Sequence, residues 1–342
     1  MNILLTSAGR RTYLVNYFKQ ALKGTGIVHA SNSILTYTLL QADKYVITPN
    51  IYDENYIDFL IKYCNKENIT VIISLFDIDL PILAKHKQLF KDNNINIIVS
   101  DKDVTSICND KWATYKFLND IGINQPKTYI AYNDAKTAIE KREISFPVIL
   151  KPRWGMGSIG IYEAEDLDEL FIFYKKLSRD IFKSYLKFES NKNKNACVII
   201  QEKINGQEYG LEILNDLEGN YVNTIAKKKI AMRSGETDIA EIVNNSIFTT
   251  TAINISKHLK HIAILDVDCF TTPENQIYVL EMNCRFGGQY PFSHLAGANI
   301  PRQIIKWIMG KPTDISLIQA KEGIIGCKDI LPVIIEYSRS NQ

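Results

Sequence analysis

The first 105 residues of this 342-residue chain alternate short apolar runs with segments of helical pattern. The apolar runs are residues 2–6, 27–30, 45–47, 71–75 and 95–99, and the helical segments between them include residues 11–22 and 56–65. Such alternation is typical of βαβ units, in which a helix connects two parallel strands. The sequence therefore predicts an N-terminal α/β domain with a parallel, doubly wound sheet.

Polar residues follow the first and fourth predicted strands, at the edge where open α/β sheets usually bind ligands. Gly9, Arg10 and Arg11 lie at a helix start, where the helix dipole and the guanidinium groups both favour an anion. Alternatively, Gly9 only makes the turn and the arginines face solvent. Asp77 and Asp79 either line the same edge or cap the following helix.

Composition and charge argue against several classes of protein. With 46% hydrophobic and 23% charged residues, the chain has the make-up of an ordinary globular protein. A net charge of +2 gives no electrostatic argument for binding nucleic acid or a membrane surface. No apolar run approaches the roughly 20 residues of a membrane helix, and we recognise no secretion signal. Six cysteines without a C-x-x-C pair predict reduced thiols in a cytoplasmic protein.

The remaining residues predict an α+β arrangement. A helical pattern over residues 104–122 precedes strand 128–132, helix 134–142, helix 167–177, an exposed lysine- and asparagine-rich loop 187–195, and strand 196–201. Strands 208–215 and 221–231, helix 247–259, and a hairpin of strands 263–271 and 276–283 follow. The whole chain thus combines the α/β and α+β fold classes.

Residues 146–161, FPVILKPRWGMGSIGI, join an apolar strand, Lys151 and a glycine-rich loop. Gly155, Gly157 and Gly160 have the spacing G-x-G-x-x-G, which several unrelated nucleotide sites share. A dinucleotide-binding turn requires a helix directly after the glycines, whereas a second apolar run follows these. A protein-kinase loop has its lysine after the glycines and needs H-R-D and D-F-G motifs, which the sequence lacks.

The order of strand, glycine loop and strand predicts a flap instead. Successive backbone N–H groups of such a flap can fold over a polyphosphate, because glycines carry no side chains that would interfere. A plain glycine hairpin with a surface lysine at position 151 is the alternative.

The predicted C-terminal hairpin carries oxygen ligands on one face. Asp268 lies on its first strand, and Glu281 and Asn283, two residues apart, point to one side of the second. Carboxylate and amide oxygens are hard ligands suited to Mg²⁺. Arg285 shares that face if the strand continues, and it could hold a phosphoryl group or a carboxylate bidentately. A surface hairpin with polar edges is the alternative.

The order of these residues resembles that of the ATP-grasp superfamily, especially its carbamoyl-phosphate-synthase-like and amino-acid-ligase members. Five ordered motifs within about residues 1–310 carry the resemblance: Lys111, Lys151 with its glycine loop, Gln201–Glu202–Lys203–Ile204 with Glu208, Asp268, and Glu281–Met282–Asn283–Cys284–Arg285. Cys284 stands where the family usually has proline, which leaves the side-chain ligands in place.

The resemblance implies a Rossmann-like pre-ATP-grasp domain followed by a two-subdomain ATP-grasp fold. The implied domains are residues 1–105, residues 106–203 with a linker helix and a lid from about residue 125, and residues 204–342 with the metal site. ATP would bind between the lid and the last domain. The resemblance also suggests a homodimer through the first or third domain.

The resemblance further implies a nucleotide-binding role for matching residues. Lys111 and Lys151 would contact the ATP phosphates beneath a flap. Gly155, Gly157, Ser158 and Gly160 would form that flap. The hinge that receives adenine would consist of Glu202, Lys203 and Ile204, and Glu208 would bind the ribose.

The remaining matches imply metal and substrate sites. Asp268, Glu281 and Asn283 would bind two Mg²⁺ ions, which Mn²⁺ could replace. Arg285 would steady an acyl phosphate, with Lys151 and the weaker match Arg233 near the transferred phosphoryl group. The substrate pocket would lie near Gly9, Arg10, Arg11 and His294, although His294 has a structural role as its alternative.

The implied activity is an ATP-dependent carboxylate–amine ligation. A small-molecule carboxylate would attack the γ-phosphate, and an amine would then displace phosphate from the acyl phosphate. One alternative is a carbamoyl-phosphate-synthase-like enzyme acting on bicarbonate or carbamate. Another is a catalytically silent ATP-binding module that regulates a partner. The sequence does not identify the carboxylate or the amine.

Overall fold

The N-terminal domain contains the expected parallel sheet, in a computed structural model that describes residues 1–335. Its strands are β1 (Asn2–Thr6), β2 (Val28–Asn32), β3 (Lys44–Ile47), β4 (Ile69–Ser74) and β5 (Asn96–Ile98), and its helices are α1 (Thr12–Leu22), α2 (Tyr37–Gln41), α3 (Tyr56–Glu67), α4 (Asp79–Lys85) and α5 (Lys87–Asp92). The strand order is β3-β2-β1-β4-β5, and every pair is parallel. The prediction of a doubly wound α/β domain is confirmed.

Two helices link this domain to the next. They are α6 (Lys102–Asn109) and α7 (Lys111–Asp120), separated at Asp110, whose backbone is extended. The Asp110 carboxylate accepts hydrogen bonds from the backbone N–H groups of Trp112 (3.0 Å) and Ala113 (3.4 Å). The prediction of a single helix is therefore wrong, because this aspartate caps the start of a second helix.

A four-stranded antiparallel sheet forms the second domain. Its elements are β6 (Thr128–Tyr129), α8 (Tyr132–Glu140), β7 (Val148–Pro152), β8 (Tyr162–Ala164), α9 (Leu167–Asp180), α10 (Lys187–Ser190) and β9 (Val198–Glu202), with the sheet order β6-β9-β7-β8. Because β7 pairs with β8, the glycine loop connects two strands, as expected. The expected exposed loop at 187–195 is wrong in part, since residues 187–190 form α10, whereas residues 191–195 are exposed. Glu189 is buried there and accepts a hydrogen bond from Tyr52 (3.2 Å).

A six-stranded antiparallel sheet forms the third domain. Its elements are β10 (Gln207–Asn215), β11 (Tyr221–Arg233), β12 (Glu236–Val243), α11 (Ser246–Leu259), β13 (Ile264–Thr271), β14 (Ile277–Asn283), α12 (Tyr290–Leu295), α13 (Ile300–Ile308), α14 (Ile315–Ile318) and β15 (Ile325–Cys327). The strand order is β14-β13-β10-β11-β12-β15. The sequence did not predict β12 or β15. Irregular pairing of β11 with β12 disturbs the two-residue alternation that would identify β12.

Buried apolar side chains show which domains pack together. One cluster joins Leu4 of the first domain to Leu211 of the third. A second cluster joins the same two domains, with Phe18 and Phe286 packed edge to face at 5.9 Å between ring centroids. A further cluster contains residues of the second domain alone. The first and third domains therefore form one packed body, whereas the second domain has its own core.

The helices and the cysteines were compared with the expectations for membrane spans and disulfide bonds. In residues 1–335, no helix is both long and apolar enough to cross a membrane. All six cysteines are free thiols, and all except Cys327 are buried.

Candidate functional site

A cavity of about 250 Å³ lies between the glycine loop of the second domain and the sheet of the third. Its charged lining residues are Lys111, Lys151, Glu208, Lys229, Asp268 and Glu281. Its apolar lining residues are Pro152, Met156, Ile159, Ile161, Met232, Phe270 and Leu280. Such a lining suits a ligand that has both a charged part and a flat apolar part.

The register of β13 against β14 explains how the acids come together. Asp268 lies opposite Glu281, and Asp266 lies opposite Asn283. Cross-strand partners point to the same face of a sheet, so all four side chains share one face. Asp268 and Glu281 line the cavity. Asn283 belongs to the next pair on this face, with Asp266, and is not a lining residue.

Two lysines complete the charged part of the cavity. Lys111, at the start of α7, lies 3.6 Å from Glu281 (Nζ to Oε2) and donates a hydrogen bond to the carbonyl of Gly155. Lys151, on β7, has a buried side chain. Burial lowers the pKa of Lys151 to about 8, although the charge of Glu281 acts in the opposite direction.

The two carboxylates of the cavity titrate differently. Burial and repulsion from Asp266 raise the pKa of Asp268 to about 6, although Lys229 opposes them. Burial also disfavours the charged form of Glu281, but attraction to Lys111 and Lys151 outweighs it and lowers the pKa to about 2. The site therefore disfavours the charged form of Asp268 and favours the charged form of Glu281.

The glycine loop covers the cavity through unusual backbone conformations. Gly157, Ser158 and Gly160 have φ angles of 61°, 55° and 73°. At Gly160 a side chain is also excluded, because a Cβ would lie 2.8 Å from Leu177 Cδ1. A Cβ on Gly235, in the turn between β11 and β12, would lie 2.1 Å from Ser158 Oγ. The loop therefore closes directly onto the third domain.

The predicted hinge residues, 202–204, lie at the end of β9 and directly after it. Glu202 ends β9, and its N–H donates to the carbonyl of Lys127 (2.9 Å). Lys203 forms an ion pair with Glu163 at 2.5 Å. Neither of these residues nor Ile204 is among the lining residues of the cavity in the described structure. The segment leads into β10, which carries the lining residue Glu208.

Arg285 connects two domains next to the cavity. Its Nε and Nη2 each lie 3.0 Å from a carboxylate oxygen of Asp77, and its Nη1 donates to Asp266 Oδ2 at 2.8 Å. Burial disfavours the charged guanidinium, but Asp77 and Asp266 outweigh it and raise the pKa of Arg285. Arg285 is thus held by the protein on three nitrogens and does not line the cavity.

The first turn of the N-terminal domain approaches the same region. Arg11 donates a hydrogen bond to the carbonyl of Phe286, next to Arg285, while Arg10 is exposed. Gly9 has a φ of 54°, so the turn itself requires a left-handed residue. The two arginines therefore have different environments, which the sequence did not distinguish.

Asp79 contradicts both of its predicted roles. It is fully buried and accepts hydrogen bonds from Thr6 (2.5 Å), Ser74 (2.9 Å) and Tyr56 (2.9 Å). Its side chain neither caps α4 nor reaches a ligand edge, because hydroxyl groups of β1, β4 and α3 surround it.

His294 and Arg233 lie outside the cavity lining. His294 stacks on Tyr17, with 3.5 Å between ring centroids, and its Nδ1 lies 3.1 Å from the Tyr290 hydroxyl. Arg233, at the end of β11, is exposed and pairs with Asp238 of β12. His294, on α12, thus packs against α1.

Outside the stretch 146–161, five lining residues were not predicted: Lys229, Met232, Gly235, Phe270 and Leu280. Phe270 follows Asp268 by two residues and so shares its face, a signal that the strand pattern already contained. Lys229 lies in a run of three lysines, where the face of each depends on a register that the sequence does not give.

The donor atoms of the cavity decide whether a metal ion fits. In the part of the chain that the structure describes, no three His, Cys, Asp or Glu side chains are grouped to hold a metal. Two carboxylates, Asp268 and Glu281, face the cavity as cross-strand partners. Mg²⁺ commonly takes one or two carboxylates and completes its octahedron with phosphate oxygens and water. The donors fit Mg²⁺ bound together with a polyphosphate.

Two family models match the chain. A model described as an ATP-grasp domain matches residues 108–289, which is more than half of the chain. The chain belongs to the ATP-grasp family. A model described as a PylC-like N-terminal domain matches residues 3–98 of this ATP-grasp chain. The family resemblance and the fold class inferred from the sequence are therefore confirmed.

Individual relatives of this ATP-grasp chain are distant. Carbamoyl-phosphate synthase of Methanobrevibacter smithii is 25% identical over 260 residues, covering 72% of this chain and 65% of that protein. The chain thus spans less than two thirds of that relative. Two solved structures have a TM-score of 0.75 at 17% identity: L-amino acid ligase of Bacillus licheniformis, covering 97% of this chain and 81% of that one, and biotin carboxylase of Campylobacter jejuni, covering 95% and 75%. At these identities the structures support the fold.

Proposed function

We propose that this protein is an ATP-dependent carboxylate–amine ligase that forms an amide or peptide bond through an acyl phosphate and releases ADP and phosphate. The observation that carries the proposal is the cavity in which Lys111, Lys151, Asp268 and Glu281 converge beneath a glycine loop. A pocket that combines lysines, carboxylates able to bind a metal ion and apolar side chains suits phosphoryl transfer from a nucleotide.

In this proposal the nucleotide lies along the cavity. Met232, Phe270 and Leu280 contact adenine, backbone groups of residues 202–204 bind its edge, and Glu208 binds the ribose. Lys111 and Lys151 hold the phosphates under the glycine loop. The domain boundaries proposed from the sequence, 1–105, 106–203 and 204–342, place these groups on the second and third domains and on the linker.

Asp268 and Glu281 are the proposed Mg²⁺ ligands, with Asn283 as a third donor, and two ions are proposed to bind. When bound, Mg²⁺ supplies positive charge to the phosphate oxygens during transfer. Arg285 and Arg233 are proposed to stabilise charge near the transferred group. The substrate pocket is proposed to lie beside Arg285, near Gly9, Arg10 and Arg11, and His294 is proposed to support it through packing.

The proposed reaction has two steps. A carboxylate oxygen attacks the γ-phosphorus, the bond to the β–γ bridging oxygen breaks, and ADP leaves. The amine nitrogen then attacks the acyl carbon, phosphate leaves, and the nitrogen loses a proton. Lys111 and Lys151 neutralise the charge that develops in the first step, while the closed loop excludes water from the acyl phosphate.

The test supplies purified protein with ATP, Mg²⁺ and mixtures of carboxylates, in the presence and absence of amines. ADP release that requires a carboxylate, and an acyl hydroxamate on addition of hydroxylamine, would support the proposal. Nucleotide binding without turnover under every mixture would instead favour a catalytically silent regulatory module.

A carbamoyl-phosphate-synthase-like reaction is the second candidate, because the Methanobrevibacter smithii relative bears that name. In that case bicarbonate or carbamate would accept the phosphoryl group. ADP release with bicarbonate alone, unaffected by other carboxylates, would select this candidate.

We further propose a cytoplasmic protein that acts on small molecules and assembles as a homodimer.

A further inference from the structure

Lys229 lies inside the cavity between two carboxylates. Its Nζ is 2.7 Å from Glu208 Oε1 and 2.7 Å from Asp268 Oδ1, and only 4% of its side chain is exposed. The two carboxylates come from neighbouring strands of one sheet, β10 and β13, so one ammonium group bridges two strands of the same cavity wall. Both acids are thus paired before any ligand binds.

The backbone fixes Lys229 in this position. On β11, Lys229 pairs with Ala240 of β12, and its carbonyl accepts a hydrogen bond from Gln207 Nε2 at 2.8 Å. The neighbouring Lys228 pairs with Tyr209 and points to the opposite face of the sheet. The strand therefore holds one lysine in the cavity and a chemically identical one outside it.

We propose that Lys229 keeps divalent cations out of the nucleotide-free cavity, so that the metal ion enters only together with the nucleotide. This inference rests on the proposed function, in which Asp268 is a metal ligand. A divalent cation at Asp268 would meet an ammonium group bound to the same carboxylate, and two cations repel each other strongly in a buried site. The polyphosphate removes this obstacle, because it adds negative charge and offers the ammonium group new partners.

A purely structural role for Lys229 makes a different prediction. If the ammonium group only tied β10 to β13, its removal would lower stability without raising metal affinity. If it excludes cations, its removal leaves Glu208 and Asp268 as two half-buried carboxylates without their shared cation, and a metal ion relieves their repulsion. Metal affinity of the nucleotide-free protein therefore separates the two roles.

The experiment measures Mn²⁺ binding by electron paramagnetic resonance of the free ion, in nucleotide-free protein. Lys229→Met is expected to bind Mn²⁺ at least tenfold more tightly than the wild-type protein. Lys228→Met, which removes the same charge from the other face of β11, and Lys229→Arg, which keeps the charge, are expected to match the wild type. Equal Mn²⁺ affinity in Lys229→Met and wild type would overturn the inference.

Two further arms keep the result decisive. If Lys229→Met does not fold, Lys229→Gln provides a second neutral variant. The wild-type protein also tests the inference by itself, because tight Mn²⁺ binding without nucleotide would overturn the inference. Calorimetric titration of wild-type protein with ADP and excess Mn²⁺ tests the proposed nucleotide site separately. No ADP binding in that arm would refute the nucleotide site, whereas ADP binding with unchanged metal affinity in the variants would refute only the role of Lys229.

Discussion

The nucleotide affinity of this protein is expected to fall steeply above pH 8 because of Lys151. Its side chain is buried at the cavity, and burial lowers its pKa to about 8, against the opposing charge of Glu281. A lysine that holds phosphate must carry its proton. Bound phosphates stabilise the ammonium group, so the pKa of Lys151 rises on binding, and above pH 8 the nucleotide binds with uptake of a proton.

The size of the effect follows from the free-protein pKa. Near pH 7 about nine-tenths of Lys151 is protonated before binding, and near pH 9 about one-tenth is. The affinity is therefore expected to fall about tenfold between these values, which corresponds to about 1.4 kcal/mol. At pH 8 the fall is about twofold and about half a proton is taken up per nucleotide bound.

Isothermal titration calorimetry with ADP in the presence of EDTA measures both quantities, since proton uptake appears as a dependence of the heat on the buffer. Lys151→Arg is the matched control, because arginine keeps its charge throughout this range. The variant is expected to lose the decrease in affinity and the proton uptake. The same pH dependence in both proteins would refute the role of Lys151 titration, as would constant wild-type affinity up to pH 9.

Four substitutions test other parts of the structure. Glu281→Gln is expected to abolish ATP turnover with an unchanged circular dichroism spectrum, and retained turnover would remove Glu281 from the metal site. Asp77→Asn breaks the buried pair with Arg285 and is expected to lower the free energy of unfolding in urea by about 3 kcal/mol; a loss below about 1 kcal/mol would contradict this account. Burial lowers the pKa of His261 to about 4, so the unfolded chain takes up the proton first and the wild type should lose about 3 kcal/mol of stability between pH 6.5 and pH 4. His261→Gln has no imidazole to titrate, so its loss of stability over the same interval should be smaller by about 3 kcal/mol. Identical profiles of stability against pH in the variant and the wild type would contradict this role of His261. Arg10→Ala is expected to raise the KM of the carboxylate or amine more than that of ATP, whereas equal changes would place Arg10 outside the acceptor site.

The sequence predicts those parts of the site that regular strands carry. Glu281 and Asn283 share a face because they are two residues apart, and the turn at residues 273–275 makes Asp268 a neighbour on the paired strand. The glycine loop was predicted for a similar reason, since apolar runs on both sides of it indicate two strands. In each case a short-range pattern fixes the geometry.

Long-range pairs could not be predicted in this way. Asp77 and Arg285 are 208 residues apart in sequence, and Tyr52 and Glu189 are 137 apart. No local pattern indicates that a buried acid has a partner in another domain, so Glu189 was assigned to an exposed loop. The break between α6 and α7 at Asp110 could not be predicted for a different reason. An aspartate can lie within a helix or cap one, and the bidentate pairing of Asp110 with Arg153 of the second domain favours the cap.

The distribution of cores indicates how the cavity would close. Asp268 and Glu281 belong to the body formed by the first and third domains, whereas Lys151 and the glycine loop belong to the second domain, which has its own core. A polyphosphate bound between these groups contacts both bodies. Its binding therefore stabilises the arrangement in which the second domain lies close to the other two. The second domain also rests on the first through Tyr52 and Phe188, whose rings stack at 4.2 Å. A closing movement that keeps this stack is therefore expected to rotate the second domain against the body formed by the other two, and not to separate the domains.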